Sequence, residues 1–141
     1  MKKIIAFLVA IIAIVGCSDD DVRIRNPFLP NYAVNVEINL NLPLYNDLNY
    51  AGNATLITQG SAGINGIILL NTGSGFLAWE ATCPNQIPES CSRLEISMPN
   101  AVCPCDDVTY SLYTGQPNAD LKWGLMQYRT EVNGNIVRIF N

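Results

Sequence analysis

Apolar side chains in residues 22–141 recur at every second position or in short unbroken runs, and nowhere at a sustained helical period. Val34, Val36, Ile38, Leu40 and Leu42 alternate with Asn35, Glu37, Asn39 and Asn41. A period of two predicts a strand with one buried face, closed by Pro43, which has no N–H to give a ladder. Ala54–Thr58 reads as a short strand. Gly66–Leu70 and Phe76–Ala81 are apolar runs separated by Asn71-Thr72-Gly73-Ser74-Gly75, a hairpin pattern. Arg93–Met98 turns Leu94, Ile96 and Met98 to one side, and Val108–Tyr113 is a further strand. Leu125–Val132 and Ile136–Phe140 flank Asn133-Gly134, a strong hairpin signal. Short strands at such spacing predict an all-β fold, a small antiparallel sandwich or barrel.

The first residues follow another pattern. Met1-Lys2-Lys3 is a positive head, Ile4–Val15 carries no polar side chain, and Gly16-Cys17 follows at once. That is the layout of a secretory signal peptide, and the run is short for a spanning helix. Ile14-Val15-Gly16-Cys17 resembles a bacterial lipobox, which implies cleavage before Cys17 and acylation of that residue. Acyl chains would hold the protein on a membrane, since anchoring grows with each buried CH₂. Ser18-Asp19-Asp20-Asp21 reads as a solvated tether, and it also resembles the surface-export signals of some Gram-negative lipoproteins. The expected division is 1–16 signal, 17–32 lipidated Cys and acidic tether, and 33–141 β domain. The expected place is the bacterial cell envelope, lipid-anchored, at the outer membrane and exposed at the cell surface.

The 141 residues hold 8 Lys+Arg, 12 Asp+Glu and no His, a net charge of −4. An acidic chain with so few bases is a poor nucleic-acid binder, because neutralising phosphates needs clustered cations. Without His there is no Ser-His-Asp or Cys-His catalytic unit and no imidazole ligand for a metal. No carboxylate pair and no phosphate-binding glycine motif stands out, so no catalytic residue is assigned.

Cys83, Cys91, Cys103 and Cys105 remain after Cys17, and four cysteines allow three pairings. An exported chain meets oxidising conditions, so disulfides are expected. The surrounding residues add a resemblance. Gly75–Asn85 looks like the approach to the first metal loop of a Rieske domain, where the pattern is C-x-H. Cys103-Pro104-Cys105-Asp106 looks like the second loop, C-P-x-H. Tyr110, Thr114-Gly115-Gln116-Pro117, Leu125, Tyr128 and Asn133–Ile139 are similar to the family's closing segment. The resemblance covers about residues 33–141 and implies a Rieske-like fold.

The departure is as informative. A Rieske [2Fe–2S] centre uses Cys₂ on one iron and His₂ on the other. Carried across, the cysteine ligands fall on Cys83 and Cys103, and the histidines on Asn85 and Asp106. An amide oxygen is a weak iron ligand, and one carboxylate with one amide does not reproduce two imidazoles. The first loop is longer than in respiratory members, and Asn118-Ala119-Asp120 after Pro117 matches their proline-bearing third loop poorly. Respiratory members tie their two loops with a disulfide that maps onto Cys91 and Cys105. Cys83 and Cys103 would then be left facing each other, roughly 3.7 Å apart if each were bound to one metal, against about 2.05 Å in a disulfide, and a small loop shift closing that gap implies a second disulfide in the place of the iron.

Other readings of these residues compete. A Cys₄ zinc site would use all four thiols, but Cys103-x-Cys105 is too close for the usual arm. Thiol exchange at Cys103-Pro104-Cys105 would want a basic neighbour, and Asp106-Asp107 follow instead. A true [2Fe–2S] cluster would need Asn85 and Asp106 as ligands. Asp106-Asp107 lacks the spaced carboxylates of a calcium loop, and a turn with Asp106 accepting backbone N–H bonds is the simpler expectation. Trp79 and Trp123 are expected to pack in the core or on a sheet rather than to bind a ligand. Tyr45, Tyr50, Tyr110, Tyr113 and Tyr128 are at home in strands without lining any site.

The sequence therefore predicts a lipid-anchored binding or structural module, not an enzyme, with no cofactor or metal. Its expected partners are the membrane, through the lipid, and an unidentified protein or small molecule. The alternative class is electron transfer, through a Rieske-type cluster or through thiols.

Overall fold

Val36 and Ile38 are buried while Asn35 and Glu37 are exposed, so the predicted alternation folds as β1, Asn35–Asn39. The computed structural model describes residues 25–141, and the expected signal segment, Cys17 and the acidic run lie outside them. β1 stops at Asn39, not at Leu42. Leu42 N–H donates to Asn39 O (3.0 Å) and Tyr45 N–H to Leu42 O (2.9 Å), turning the chain into a 3₁₀ helix over Pro43–Asn49. Pro43 starts that helix, where a missing N–H costs nothing. Leu42, expected to point inward, is 49% exposed, and Tyr45 and Leu48 fill the space under the turn.

The other long strands form as expected: β2 (Ala54–Ile57), β3 (Ile67–Asn71), β4 (Phe76–Glu80), β8 (Gln127–Asn133) and β9 (Ile136–Phe140). Together with β1 they make one antiparallel sheet in the order β1-β9-β8-β4-β3-β2. β1 lies at an edge, with β9 as its only neighbour among the described residues. In the β8–β9 hairpin Asn133 faces Ile136, so Gly134-Asn135 is the two-residue loop. Gly134 takes the left-handed φ of 60° that such a loop needs first.

A second, three-stranded antiparallel sheet carries β5 (Glu95–Ser97), β6 (Asn100–Val102) and β7 (Thr109–Ser111). β5 ends before Met98, which is 39% exposed, so the inward placement expected for Met98 does not hold. β6 has no counterpart in the sequence reading, because three residues between turns are too short to show a period.

β3 explains how the layers stack. Ile67 and Leu69 join one buried cluster with Val36, Ile38, Leu48, Val137 and Ile139. Ile68 and Leu70 join a second with Trp79, Cys83, Leu94, Cys103 and Tyr110. Both faces of the strand are covered, which is why Ile67–Leu70 is an unbroken apolar run. The second cluster forms the floor of the two cysteine loops.

Candidate functional site

β4 runs straight into the first cysteine loop. Cys83 N–H donates to Ser92 O (2.8 Å) and Leu94 N–H to Ala81 O (2.9 Å), so the loop closes on its own base. The second loop, between β6 and β7, is closed by Cys103 N–H to Val108 O (2.9 Å) and Asp107 N–H to Cys103 O (2.9 Å). Asp107 sits at φ 59°, a left-handed conformation that Asp tolerates better than most residues. Asp106 is exposed, and its Oδ1 accepts Val108 N–H at 3.1 Å, the solvated turn expected of it.

Two disulfides join the loops, Cys83–Cys103 and Cys91–Cys105, with Cα separations of 5.6 and 5.2 Å. These are the pairings the family resemblance implied. The two bonds differ in depth. Cys83 and Cys103 are 1% and 0% exposed, whereas Cys91 and Cys105 are only partly buried. Cys91 also lines an open cleft with Glu89, Arg93, Glu95 and Pro104. The bonds are close neighbours: the Sγ atoms of Cys83, Cys103 and Cys105 all lie within 4.8 Å of one another. Ser92 Oγ stands 3.8 Å from Cys105 Sγ and accepts from Gln86 Nε2 (2.9 Å) and Glu89 N–H (2.8 Å), which ties the first loop together beneath Cys91.

Asn85, at one position matched to a cluster histidine, is fully occupied. Its Nδ2 donates to Trp123 O (2.7 Å) and Tyr110 OH (3.0 Å), and its Oδ1 accepts Trp123 N–H (3.0 Å). The segment around Trp123 therefore closes on the first cysteine loop, although its sequence matches no third loop. The four positions the resemblance assigns to a cluster offer two sulfurs bonded to each other, a committed amide and a solvated carboxylate. That donor set does not fit a centre built on two thiolates and two imidazoles.

Trp79 has the packing role expected of it. It is buried, its Nε1 donates to Leu112 O at 2.8 Å, and Gly115 lies against its ring. A Cβ at Gly115 would stand 2.7 Å from Trp79 Cζ3, and φ is +72°, so both space and backbone require glycine. Trp123 is half-buried, with the Lys122 ammonium 4.8 Å from its ring centre. Tyr45, Tyr110 and Tyr128 are core residues, while Tyr50 and Tyr113 are exposed.

Glu80 is the polar residue that the sequence reading missed. It is 0% exposed, and four donors converge on its carboxylate. They are Ile64 N–H (2.9 Å), Asn65 N–H (3.2 Å), Thr82 Oγ1 (2.7 Å) and Tyr128 OH (2.7 Å). Gly63 allows the close approach: its φ is +69°, and a Cβ there would press on Glu80 and lie 2.9 Å from Tyr128 OH. The carboxylate pins residues 63–65 to β4, two residues ahead of Thr82-Cys83. Burial, and then the facing Glu80, push the Tyr128 phenol far above its ordinary range. Burial also raises the Tyr110 phenol, against the Asn85 hydrogen bond that lowers it, with Asp106 adding to the rise. A lone Glu in Phe76-Leu77-Ala78-Trp79-Glu80-Ala81 was the available signal.

The segment before the β domain also reaches this region. Asn26 Nδ2 donates to Pro84 O at 2.6 Å, and Leu29 is buried. The carboxyl end of the stretch expected as tether is thus packed on the first cysteine loop.

No family model matches the chain, and no curated protein matches it. Several solved structures resemble it. A chain in the complex of reduced oxygenase and oxidized ferredoxin in carbazole 1,9a-dioxygenase aligns with a TM-score of 0.46 at 21% identity, covering 64% of this chain and 82% of that one. The ferredoxin of carbazole 1,9a-dioxygenase from Nocardioides aromaticivorans IC177 aligns at 0.44 and 16%, covering 64% and 86%. A nitrite reductase NADPH small-subunit oxidoreductase protein aligns at 0.43 and 19%, covering 66% and 92%.

Proposed function

We propose that this chain is a lipid-anchored module of the bacterial cell envelope whose Rieske-like β domain acts by binding or by structure and not by catalysis. One observation carries the reading: both polar ends of the Asn85 amide are spent on Trp123 and Tyr110. A side chain used in this way holds loops together where the resemblance would have a ligand hold a metal. The disulfides support the same view, since the sulfurs of both loops are joined to each other. The apolar run ending at Cys17 and the acidic residues after it support acylation and display at the outer membrane.

Mature protein extracted from membranes tests the proposal in one sample. Metal analysis, the visible spectrum, a thiol titration and the mass of the amino-terminal peptide are measured together. The expected protein is colourless and free of iron, shows no thiol among Cys83, Cys91, Cys103 and Cys105, and carries acyl mass on Cys17. A brown, iron-bearing protein would overturn the reading in favour of electron transfer, and stoichiometric zinc would favour a Cys₄ site.

A further inference from the structure

We propose that the two disulfides form a thiol-exchange relay, in which a small dithiol reductant opens the outer bond and Cys105 carries the opening to the inner one. The inference goes beyond a structural role for the cysteine loops. It rests on that reading only in taking both bonds as oxidised at the start.

Three observations point the same way. The inner pair is sealed, with Cys83 and Cys103 at 1% and 0% exposure, so an outside thiolate cannot line up behind either sulfur. The outer pair is partly exposed, and Cys91 opens onto a cleft lined also by Arg93, Glu89 and Glu95. Cys105 then links the two, because its sulfur lies within 4.8 Å of both Cys83 and Cys103. Exchange is attack by a thiolate on a disulfide sulfur, so a thiolate already held at that range needs only a small loop movement.

The steps balance. One thiolate of the dithiol attacks Cys91 Sγ, forming a mixed disulfide and expelling the Cys105 thiolate. The second thiol of the reductant attacks that mixed disulfide, leaving as a cyclic disulfide and freeing the Cys91 thiol. The reductant has lost two electrons and two protons, and the protein has gained two thiols. Cys105 thiolate then attacks Cys83 Sγ, forming Cys83–Cys105 and expelling the Cys103 thiolate, with no net change in oxidation. Cys83 is the better target, because joining Cys103 to Cys105 would close a cramped ring around Pro104.

The site thus takes a dithiol as substrate and passes from the native, doubly bridged pairing to a half-reduced form that links Cys83 to Cys105 and leaves thiols on Cys91 and Cys103.

The test begins with a thiol count before any reductant. Free thiols at that point would mean that the oxidised starting state, and with it the structural reading, is wrong, which separates the two failures. Oxidised protein is next treated with excess dithiothreitol, and loss of the Cys83–Cys103 bond is followed by acid quench, alkylation and peptide mapping. The expected rate in Cys105→Ser is slower than in the native chain by about tenfold or more. Equal rates would overturn the relay. Should that variant fail to fold, as judged by the fluorescence of buried Trp79, the native chain decides the matter with a limiting amount of dithiothreitol. Early label on Cys91 and Cys103, with Cys83 linked to Cys105, supports the relay. Label that stays on Cys91 and Cys105 at all times, or that appears first on Cys83 and Cys103 together, rejects it.

Discussion

The side chain of Asn85 pairs with the backbone of Trp123 as one strand pairs with another: Oδ1 accepts its N–H at 3.0 Å and Nδ2 donates to its C=O at 2.7 Å. The same Nδ2 reaches Tyr110 OH. Three contacts of a partly buried amide imply a loss of about 2 kcal/mol in Asn85→Ala, at roughly 1 kcal/mol or less for each bond. Asn85→Asp keeps the acceptor but turns a carboxylate toward Trp123 O, and should be at least as harmful at neutral pH. Urea denaturation of the oxidised proteins measures both. A native-like midpoint in Asn85→Ala would show that the clasp contributes nothing.

Glu80 should be the most sensitive polar position in the domain. Removing its carboxylate leaves Ile64 N–H, Asn65 N–H, Thr82 Oγ1 and Tyr128 OH without their acceptor in a buried site. A cost of about 3–5 kcal/mol is expected for Glu80→Ala, against about 1–2 kcal/mol for Glu80→Gln, which keeps one acceptor oxygen. Thermal unfolding followed by near-ultraviolet circular dichroism separates the two. Equal losses would mean that neither the retained volume nor the single amide oxygen of the glutamine supports the site, and that the whole carboxylate is required.

Tyr128 sets an alkaline limit. In the unfolded chain it ionises near its ordinary value of 10.0, whereas in the fold burial and Glu80 hold the proton on. Below pH 10 both states carry that proton, and the full stabilisation is present. Above pH 10 the native state binds more protons than the unfolded one, so stability falls as pH rises. Tyr110, raised mainly by burial, adds to the same slope. Tyr128→Phe should flatten the loss between pH 9 and about pH 11, read by urea midpoints across that range. An unchanged slope would move its origin elsewhere.

The disulfides should supply a large share of the folding free energy. Their sequence separations are 14 and 20 residues, and loops of that size correspond to about 3 kcal/mol each in the chain-entropy view. Small domains hold about 5–15 kcal/mol in total, so complete reduction should leave the chain close to its unfolding midpoint at 37 °C. Circular dichroism with and without excess phosphine reductant tests this. A reduced chain that keeps its urea midpoint would assign the stability to the two apolar clusters alone.

Strand content was legible because the signals were local. Alternation marked β1, the Asn71–Gly75 turn marked β3 and β4, and Asn133-Gly134 marked the last hairpin. Errors fell where a short-range rule met a tertiary demand. Leu42 continued the alternation, but the backbone had already turned at Asn39 to bury Tyr45 and Leu48. Met98 continued another, but β5 ended before it. At the site, the cysteine pairing was legible only through the family resemblance, since spacing alone leaves three choices. The Asn85–Trp123 clasp spans 38 residues and the Glu80–Tyr128 bond 48, and nothing near either residue in sequence announces its partner. The isolated charge in Phe76–Ala81 was visible, but its meaning depended on strands not yet placed.

Among the described residues β1 is the first strand, and it pairs only with the last. A polypeptide delivered amino end first must therefore hold Asn35–Asn39 unpaired while every other strand arrives. Contacts this distant in sequence form slowly, because a long loop must close before any bond repays it. The sheet can assemble from its centre outward, β3 with β4 and β8 with β9, and β1 docks as the final step. Residues 25–34, with Asn26 bonded to Pro84 O and Leu29 buried, are thus drawn in together with β1, so the first cysteine loop gains its last neighbours only when the sheet is complete.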